Sequence, residues 1–214
     1  MIKNVFFDFN GTLLDDLNLC FKIEEEIIDM YGLKPVTMDF YLDNFCFPVK
    51  KYYERAGFDF SKHDYAEISK IFFQKYNERE EKETNIYPKV KETLDLLKKQ
   101  GYSLYCYSAS ERKLLEKQLK FFGIFDFFVG IIASDNIKAK GKLEYGKEYI
   151  ENNKIDPLST VMIGDTHHDY EVARELGLKP LLVSFGHNSL KVLQGLNTPI
   201  INKFEDIPSA LKNL

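Results

Sequence analysis

The sequence predicts an α/β protein with a parallel sheet and an inserted helical cap, and three observations lead to this fold class. An apolar strand pattern at 5–9 runs into a turn that contains a glycine. Residues 15–84 then show mostly helical periodicity, and from Pro88 onward helical and strand patterns alternate. We therefore predict a Rossmann-like core made of residues 1–14 and 85–214, and a helical cap made of residues 15–84.

Glycine and proline separate the predicted elements. In the cap, stop signals such as Gly32, Pro48 and Gly57 divide predicted helices at 16–31, 37–46, 48–56 and 63–83. In the core, the patterns predict helices at 88–100, 110–121, 142–153 and 168–176, strands at 102–107, 127–132, 159–164, 180–184 and 199–202, and a closing helix. Because the cap is inserted after the first strand, at the edge where α/β sheets bind ligands, we expect it to act as a lid.

Composition and charge exclude several functional classes. The 214 residues are 44% hydrophobic and 29% charged, with a net charge of -4, so the chain lacks the clustered basic surface that nucleic-acid binding requires. No apolar run approaches the ~18 residues of a membrane-spanning helix, and no leader pattern precedes the first strand. We expect a cytoplasmic protein without nucleic-acid or membrane partners. Its three cysteines, Cys20, Cys46 and Cys106, lack metal-ligand spacing and are predicted to be reduced thiols.

The predicted cap is rich in aromatic residues. Because periodic rings usually serve packing, we expect most of them to form the core of a small helical bundle, with a few at its edge facing a ligand. These rings are Phe40, Tyr41, Phe45, Phe47, Tyr52, Tyr53, Phe58, Phe60, Tyr65, Phe72, Phe73 and Tyr76.

The first candidate site residues follow the first strand. Asp8 stands at its carboxyl end, where open α/β sheets place their ligand crevice. Asn10, Gly11 and Thr12 offer backbone N–H groups that suit an anion. The plain alternative is a buried strand that merely ends in a polar turn, and three later segments argue against it.

A second segment, 104–110, places a hydroxyl group at the predicted end of another strand. Ser108 follows the apolar run 104–107, and its hydroxyl group and the backbone N–H of Ala109 suit a phosphate oxygen. For Ser110, the simpler interpretation is an N-cap of the next helix.

A third segment is basic and opens a helix. Lys138, Lys140 and Lys142 surround Gly141, and such a cluster is usually solvated surface. Lys142, at the start of the predicted helix, opposes the helix dipole, and this placement favours an anionic partner.

A fourth segment supplies carboxylates. Asp165 follows Gly164 at the end of a buried strand, and Asp169 lies four residues further on, where it also suits a helix cap. Asp8 and Asp165 at one crevice would repel each other unless a cation lies between them, and oxygen ligands suit Mg²⁺. The adjacent His167 and His168 lack the spacing of a zinc pair and are interpreted as loop residues.

In this order, the segments 8–12 and 164–169, together with Ser108 and Lys142, resemble the four motifs of the haloacid-dehalogenase superfamily of phosphohydrolases. The resemblance is closest to the phosphoglycolate-phosphatase-like branch. It spans nearly the whole chain, because the family carries its helical cap between the first and second motifs.

The resemblance implies an Mg²⁺-dependent phosphatase whose substrate is a small phosphorylated metabolite. Asp8 would be the nucleophile that accepts the phosphoryl group as an aspartyl phosphate. Asp8, the backbone carbonyl group of Asn10 and Asp165 would bind Mg²⁺, with Asp169 as a further ligand or a partner of the ligands. The predicted substrate-binding residues are Gly11, Thr12, Ser108, Ala109 and Lys142.

Position 10 departs from the family pattern. Family phosphatases carry a second Asp there, which protonates the leaving oxygen and then activates water, and the amide of Asn10 can do neither. The substitution is either natural or an engineered trap for substrate. The dehalogenating branch carries a Tyr at this position, so its absence argues against dehalogenation.

Three functional hypotheses remain at this stage. The leading one is a phosphatase, impaired or not by Asn10, and the alternative is a phosphate-ligand binding or regulatory protein on the same fold. A plain α/β domain without this chemistry is disfavoured because four ordered strand-end motifs agree. The cap residues that choose the substrate and the oligomeric state stay open.

Overall fold

The computed structural model describes residues 1–134 and 141–214. The predicted basic residues Lys138 and Lys140 lie outside the described residues, so Lys142 is the member of that cluster with a known position.

Strands and helices alternate along the described core. The strands are β1 (Asn4–Phe7), β2 (Leu14–Asp15), β3 (Asn85–Ile86), β4 (Ser103–Glu111), β5 (Gly130–Ser134), β6 (Thr160–Gly164), β7 (Lys179–Val183) and β8 (Ile200–Ile201). The helices are α1 (Leu17–Met30), α2 (Met38–Asn44), α3 (Val49–Arg55), α4 (Tyr65–Glu83), α5 (Val90–Lys99), α6 (Arg112–Phe121), α7 (Lys142–Asn152), α8 (His167–Glu175), α9 (Leu190–Gln194) and α10 (Ile207–Lys212).

Six parallel strands form the main sheet, in the order β5, β4, β1, β6, β7, β8. Strand β1 lies inside the sheet, and its residues Val5, Phe6 and Phe7 are fully buried because helices cover both faces. Phe7 pairs with Cys106 on one side and with Ile163 on the other. The carboxyl ends of β1, β4 and β6 therefore meet at one edge, and the fold class predicted from the sequence is confirmed.

Helices α1 to α4 lie between β2 and β3 and pack around a hydrophobic cluster of their own. Strands β2 and β3 form a short antiparallel pair, in which Leu14 lies opposite Ile86. The insert therefore leaves the core and returns to it at the same place. The division into a core of 1–14 and 85–214 and a cap of 15–84 stays a prediction.

Several local predictions were wrong. Strand β4 extends to Glu111, so Ser110 belongs to a strand and Glu111, not Ser110, precedes helix α6 as its N-cap. The strand predicted at 127–132 begins only at Gly130, because Phe125–Phe127 form a 3-10 helix. His167 and His168 form the first turn of α8 rather than a loop, because Thr166 caps that helix. Within the described residues, no helix is long and apolar enough to cross a membrane.

Candidate active site

The carboxyl edge of the sheet faces α1 to α4 across a cavity of about 270 Å³. From the core, the cavity is lined by Asp8, Asn10, Ser108, Ala109, Ser110, Leu114, Lys142, Asp165, Thr166, His168, Asp169 and His187. The sheet topology explains this grouping, because Asp8 and Asp165 directly follow β1 and β6, and Ser108 lies in the C-terminal half of the neighbouring strand β4.

Lys142 links two of the carboxylates. Its Nζ atom lies 2.5 Å from Asp8 Oδ1 and 2.8 Å from Asp169 Oδ1. Gly141 is the N-cap of helix α7, and its N–H donates to the side chain of Glu144, which fixes the start of the helix at Lys142. Burial alone would lower the pKa of Lys142, but Asp169 and Asp8 raise it well above its usual value. The buried side chain therefore carries a positive charge into the site.

Asp165 is fully buried and held from two sides. Its Oδ1 accepts a hydrogen bond from Thr12 Oγ1 at 3.0 Å, and its Oδ2 accepts one from the backbone N–H of His187 at 2.7 Å. A Cβ atom at Gly11 or at Gly186 would overlap this carboxylate, so both positions require glycine. Burial raises the pKa of Asp165 to about 6.

Asp169 is both a cap and a site residue. Its Oδ2 accepts hydrogen bonds from Thr166 Oγ1 at 2.6 Å and from Thr166 N at 3.1 Å, while its Oδ1 faces Lys142. Burial would raise the pKa of Asp169, but Lys142 holds it below its usual range. The capping role and the role in the site, which the sequence left as alternatives, therefore occur together.

Asp8, Asp165 and Asp169 fit a divalent cation. Carboxylate oxygens of all three lie within 4.8 Å of one another. Burial raises the pKa of Asp8 to about 8, and Asp169 and Asp165 add to this rise although Lys142 opposes it. Among the described residues, Lys142 is the lysine that pairs with these carboxylates, and ionisation of all three would exceed its charge. The all-oxygen donor set suits Mg²⁺.

Asn10 is engaged by neighbours that the sequence did not identify. Its Nδ2 atom donates to Asp16 Oδ2 at 2.7 Å and to the hydroxyl group of Tyr76 at 2.9 Å. The hydroxyl group of Tyr76 also donates to Asp16 Oδ2, at 2.8 Å. Asp16 and Tyr76 therefore hold the Asn10 side chain in place as a hydrogen-bond donor.

His187 is the cationic partner of Asp16. Its Nε2 lies 3.1 Å from Asp16 Oδ1, and its Nδ1 lies 2.9 Å from the hydroxyl group of Tyr41. Burial would lower the pKa of His187, but Asp16 raises it to about 9. Burial would likewise raise the pKa of Asp16, yet His187 holds it below its usual value. A buried ion pair thus supports the Asn10 side of the site.

The backbone of the first turn has partners within the protein. The N–H of Gly11 donates to Asp16 Oδ1 at 3.0 Å, and the N–H of Thr12 donates to the carbonyl oxygen of Phe9 at 3.3 Å. Ser108 Oγ donates to Ser110 Oγ at 3.1 Å and accepts from Ser110 N. Gly11 and Thr12, which were predicted to contact phosphate, donate hydrogen bonds to Asp16 and Asp165 in this structure. Ser108 and Lys142, predicted for the same role, line the cavity.

The cap supplies most of the remaining cavity wall. Its lining residues are Asp16, Cys20, Glu24, Tyr41, Phe45, Phe47, Val49, Tyr52, Tyr53, Tyr65, Ser69, Phe72, Phe73 and Tyr76. Many of these rings also belong to the hydrophobic cluster of the cap. The same rings therefore pack the cap and line the cavity, which the sequence had treated as alternatives. Which of them face a ligand stays a prediction.

A sequence model of the family described as haloacid dehalogenase-like hydrolase matches residues 5–183. A protein named phosphoglycolate phosphatase from Vibrio vulnificus is 25% identical over 195 residues, which cover 87% of this chain and 86% of that protein. A protein named pyrophosphatase PpaX from Bacillus velezensis is 28% identical over 179 residues, covering 83% and 81% of the two chains.

Solved structures share the fold. A haloacid dehalogenase-like hydrolase from Streptococcus pneumoniae matches with a TM-score of 0.76 and 20% identity over 98% of both chains. A protein from Clostridium acetobutylicum described as a predicted phosphatase matches with a TM-score of 0.83 and 19% identity over 100% of both chains. At these identities the two similarities concern the fold alone.

Proposed function

Because the chain belongs to the haloacid dehalogenase-like hydrolase family, we propose that it hydrolyses a small phosphate monoester with Mg²⁺, through an aspartyl phosphate on Asp8. The observation that carries the proposal is the position of Lys142, whose ammonium group joins Asp8 to Asp169 inside a group of three carboxylates. The names of the relatives from Vibrio vulnificus and Bacillus velezensis support hydrolysis of phosphate compounds.

The proposed reaction begins at Asp8. A carboxylate oxygen of Asp8 attacks phosphorus, the bond between phosphorus and the ester oxygen breaks, and the ester oxygen leaves with the electron pair as an alkoxide. Lys142 and the hydroxyl group of Ser108 would bind oxygens of the phosphoryl group as it moves. Asp8, the carbonyl oxygen of Asn10 and Asp165 would hold Mg²⁺, with Asp169 beside them, and the ion would neutralise charge on the transferring phosphoryl group.

Asn10 limits the proton transfers. The leaving alkoxide needs a proton, and the water that later attacks the aspartyl phosphate must lose one. The amide of Asn10 can neither give nor accept these protons, and its Nδ2 atom already donates hydrogen bonds to Asp16 and Tyr76. We therefore propose slow turnover, especially for esters whose alcohols are poor leaving groups. The same observation favours a second candidate function, a phosphate-ligand binding or regulatory protein.

Release of inorganic phosphate from a panel of alkyl, sugar and nitrophenyl phosphates tests the proposal. We expect hydrolysis that requires Mg²⁺ and is lost in Asp8→Asn. Asp126→Asn, at an exposed position away from the cavity, is the matched control and should behave like the parent. Binding of the esters without any release of phosphate would reject the enzymatic proposal in favour of the binding protein. Location in the cytoplasm and the identity of the metabolite stay predictions.

A further inference from the structure

One face of helix α1 extends the cavity away from the phosphate site. Asp16, Cys20 and Glu24 are spaced four residues apart, so their side chains lie along the same face, and all three line the cavity. Asp16 contacts Asn10, whereas Glu24 lies two turns further, about 12 Å along the helix axis. Glu24 therefore marks the end of the cavity that is distant from Asp8.

Glu24 is a buried carboxylate with no positive partner in the described part of the chain. Its side chain belongs to a residue that is only 2% exposed, and its Oε1 accepts a hydrogen bond from the hydroxyl group of Tyr52. Among residues 1–134 and 141–214, no lysine, arginine or histidine forms an ion pair with it. Burial raises the pKa of Glu24 to about 8, although the Tyr52 hydrogen bond opposes the rise. A charged carboxylate here lacks compensation until a cation arrives.

The walls around Glu24 are aromatic. Tyr41, Tyr52 and Tyr53 line the same cavity. The ring of Tyr52 packs against those of Tyr41 and Tyr53, at centroid distances of 5.4 and 5.8 Å. Aromatic faces attract organic cations, and a carboxylate among such rings strengthens that attraction. Of the described residues that line the cavity, Glu24 is the one carboxylate at this end, whereas inorganic divalent cations require several oxygen ligands.

We propose that the cavity accepts phosphate monoesters whose alcohol carries a positively charged nitrogen, with the phosphate at Lys142 and the nitrogen against Glu24. The inference rests on the proposed function for the position of the phosphate. The separation of the two ends requires an alcohol that spans on the order of 10 Å. An amine on a long aliphatic or aromatic body meets this requirement better than a two-carbon amino alcohol.

Two esters of equal length test the proposal on the parent protein. In 6-aminohexyl phosphate the chain ends in an ammonium group, and in heptyl phosphate it ends in a methyl group at the same position. Hydrogen bonds to charged groups contribute about 1.5–3 kcal/mol, so we expect kcat/KM with Mg²⁺ to favour the amine roughly 10- to 100-fold. Equal values for the two esters would overturn the proposal without any variant being needed.

Glu24→Gln shows whether the preference comes from this carboxylate. We expect the ratio of the two kcat/KM values to fall close to one. The matched control is Glu25→Gln, which changes the adjacent, exposed residue of the same helix and should keep the parent ratio. If Glu24→Gln keeps that ratio as well, the assignment of Glu24 is wrong.

The design separates this inference from the proposed function. If neither ester nor nitrophenyl phosphate is hydrolysed, the enzymatic proposal fails, and calorimetric titration of the two alkyl esters with Mg²⁺ then decides the inference. Tighter binding of 6-aminohexyl phosphate, lost in Glu24→Gln, supports the cation site in a binding protein. Equal affinities for the two esters overturn it.

Discussion

Asn10 is the residue at which this chain differs most from the motif it otherwise follows. Its amide donates to Asp16 and Tyr76, and Asp16 in turn pairs with His187. Asp16 and Tyr76 thus accept hydrogen bonds from an amide. An aspartate at position 10 would instead place a second carboxyl group beside the carboxylate of Asp16.

Asn10→Asp is expected to speed hydrolysis of alkyl phosphates. The new carboxyl group would lie at the Asp16 carboxylate, and repulsion between the two would raise the pKa of the new group, so that it retains a proton for the leaving oxygen. General acid–base catalysis contributes about 10²–10⁴-fold, which corresponds to about 3–5 kcal/mol of barrier. Initial rates of phosphate release measure the change.

The leaving group provides an internal control for this substitution. Nitrophenyl phosphate releases an acidic alcohol that needs little protonation, so its gain should be smaller than that of heptyl phosphate. Asn10→Ala removes the amide without adding an acid and should give no gain. An unchanged rate for Asn10→Asp on every ester would show that another group supplies the proton or that the protein does not turn over.

The sequence predicted some of the residues of the site but not others. Parallel-sheet topology explains why Asp8 and Asp165, which follow strand ends, lie close to Lys142 at the start of a helix. The structure brings the three side chains together. Asp16 and His187 are 171 positions apart, and no local pattern joins them. The available signals were the acidic residue before α1 and the Gly186-His187 pair after β7, both at the same sheet edge.

At the scale of the element, helix α1 combines a packing role with a site role. Ile23 and Ile27 are buried in the hydrophobic cluster of the cap, while Glu24, between them in sequence, is also buried but polar. Because ionisation of a buried carboxyl group is unfavourable, Glu24 makes the stability of the cap dependent on pH.

Glu24→Gln should reduce the pH dependence of stability. The pKa of Glu24 is about 8 in the folded protein against 4.5 for an ordinary glutamate, so between these values folding takes up a proton. The free energy of unfolding therefore falls as pH rises from about 5 to 8, by about 3–4 kcal/mol for this group. The exposed Glu25 adds the smallest of the contributions to the raised pKa of Glu24. The other groups around Glu24 are Cys20, Tyr41, Tyr52 and Tyr53, which stay neutral in this range because burial raises their pKa values.

Urea unfolding at pH 5 and at pH 8 measures this effect. Glutamine keeps an acceptor for the hydroxyl group of Tyr52 but has no proton to lose, so the variant should lose less stability between the two pH values than the parent. Glu25→Gln, at an exposed position, should follow the parent. A variant that loses as much stability as the parent would mean that the pKa of Glu24 is not raised and that its carboxylate is charged in the folded protein from pH 5 to pH 8.

Element boundaries show where local patterns stop being informative. The run 108–110 was expected to leave the strand, but β4 continues because Glu111 pairs with Ser134 of β5 after a register shift beyond Tyr107. That pairing depends on a strand more than twenty residues away in sequence. The fold class was predictable from periodicity, whereas this extension depends on a neighbouring strand.

At the scale of the whole molecule, the cap closes over the sheet edge through a small set of polar contacts. Besides the contact between Tyr41 and His187, Ser189 N donates to the carbonyl oxygen of Leu42 at 3.0 Å, and Asn188 Nδ2 donates to that of Phe45 at 2.9 Å. The sequence predicted where the cap is inserted. It did not reveal which rings face the cavity, because that depends on how the four helices pack.

The central claim is that Asp8, at the edge between core and cap, accepts the phosphoryl group. Since Asn10 cannot activate water, the aspartyl phosphate is expected to accumulate. Acid quenching after brief incubation with nitrophenyl phosphate and Mg²⁺, followed by intact mass and peptide mapping, measures it directly. The account predicts a phosphate-sized mass increase on the peptide that contains Asp8, present in Asp126→Asn and absent in Asp8→Asn. Release of phosphate without any labelled protein, or a label on another residue, would contradict the account.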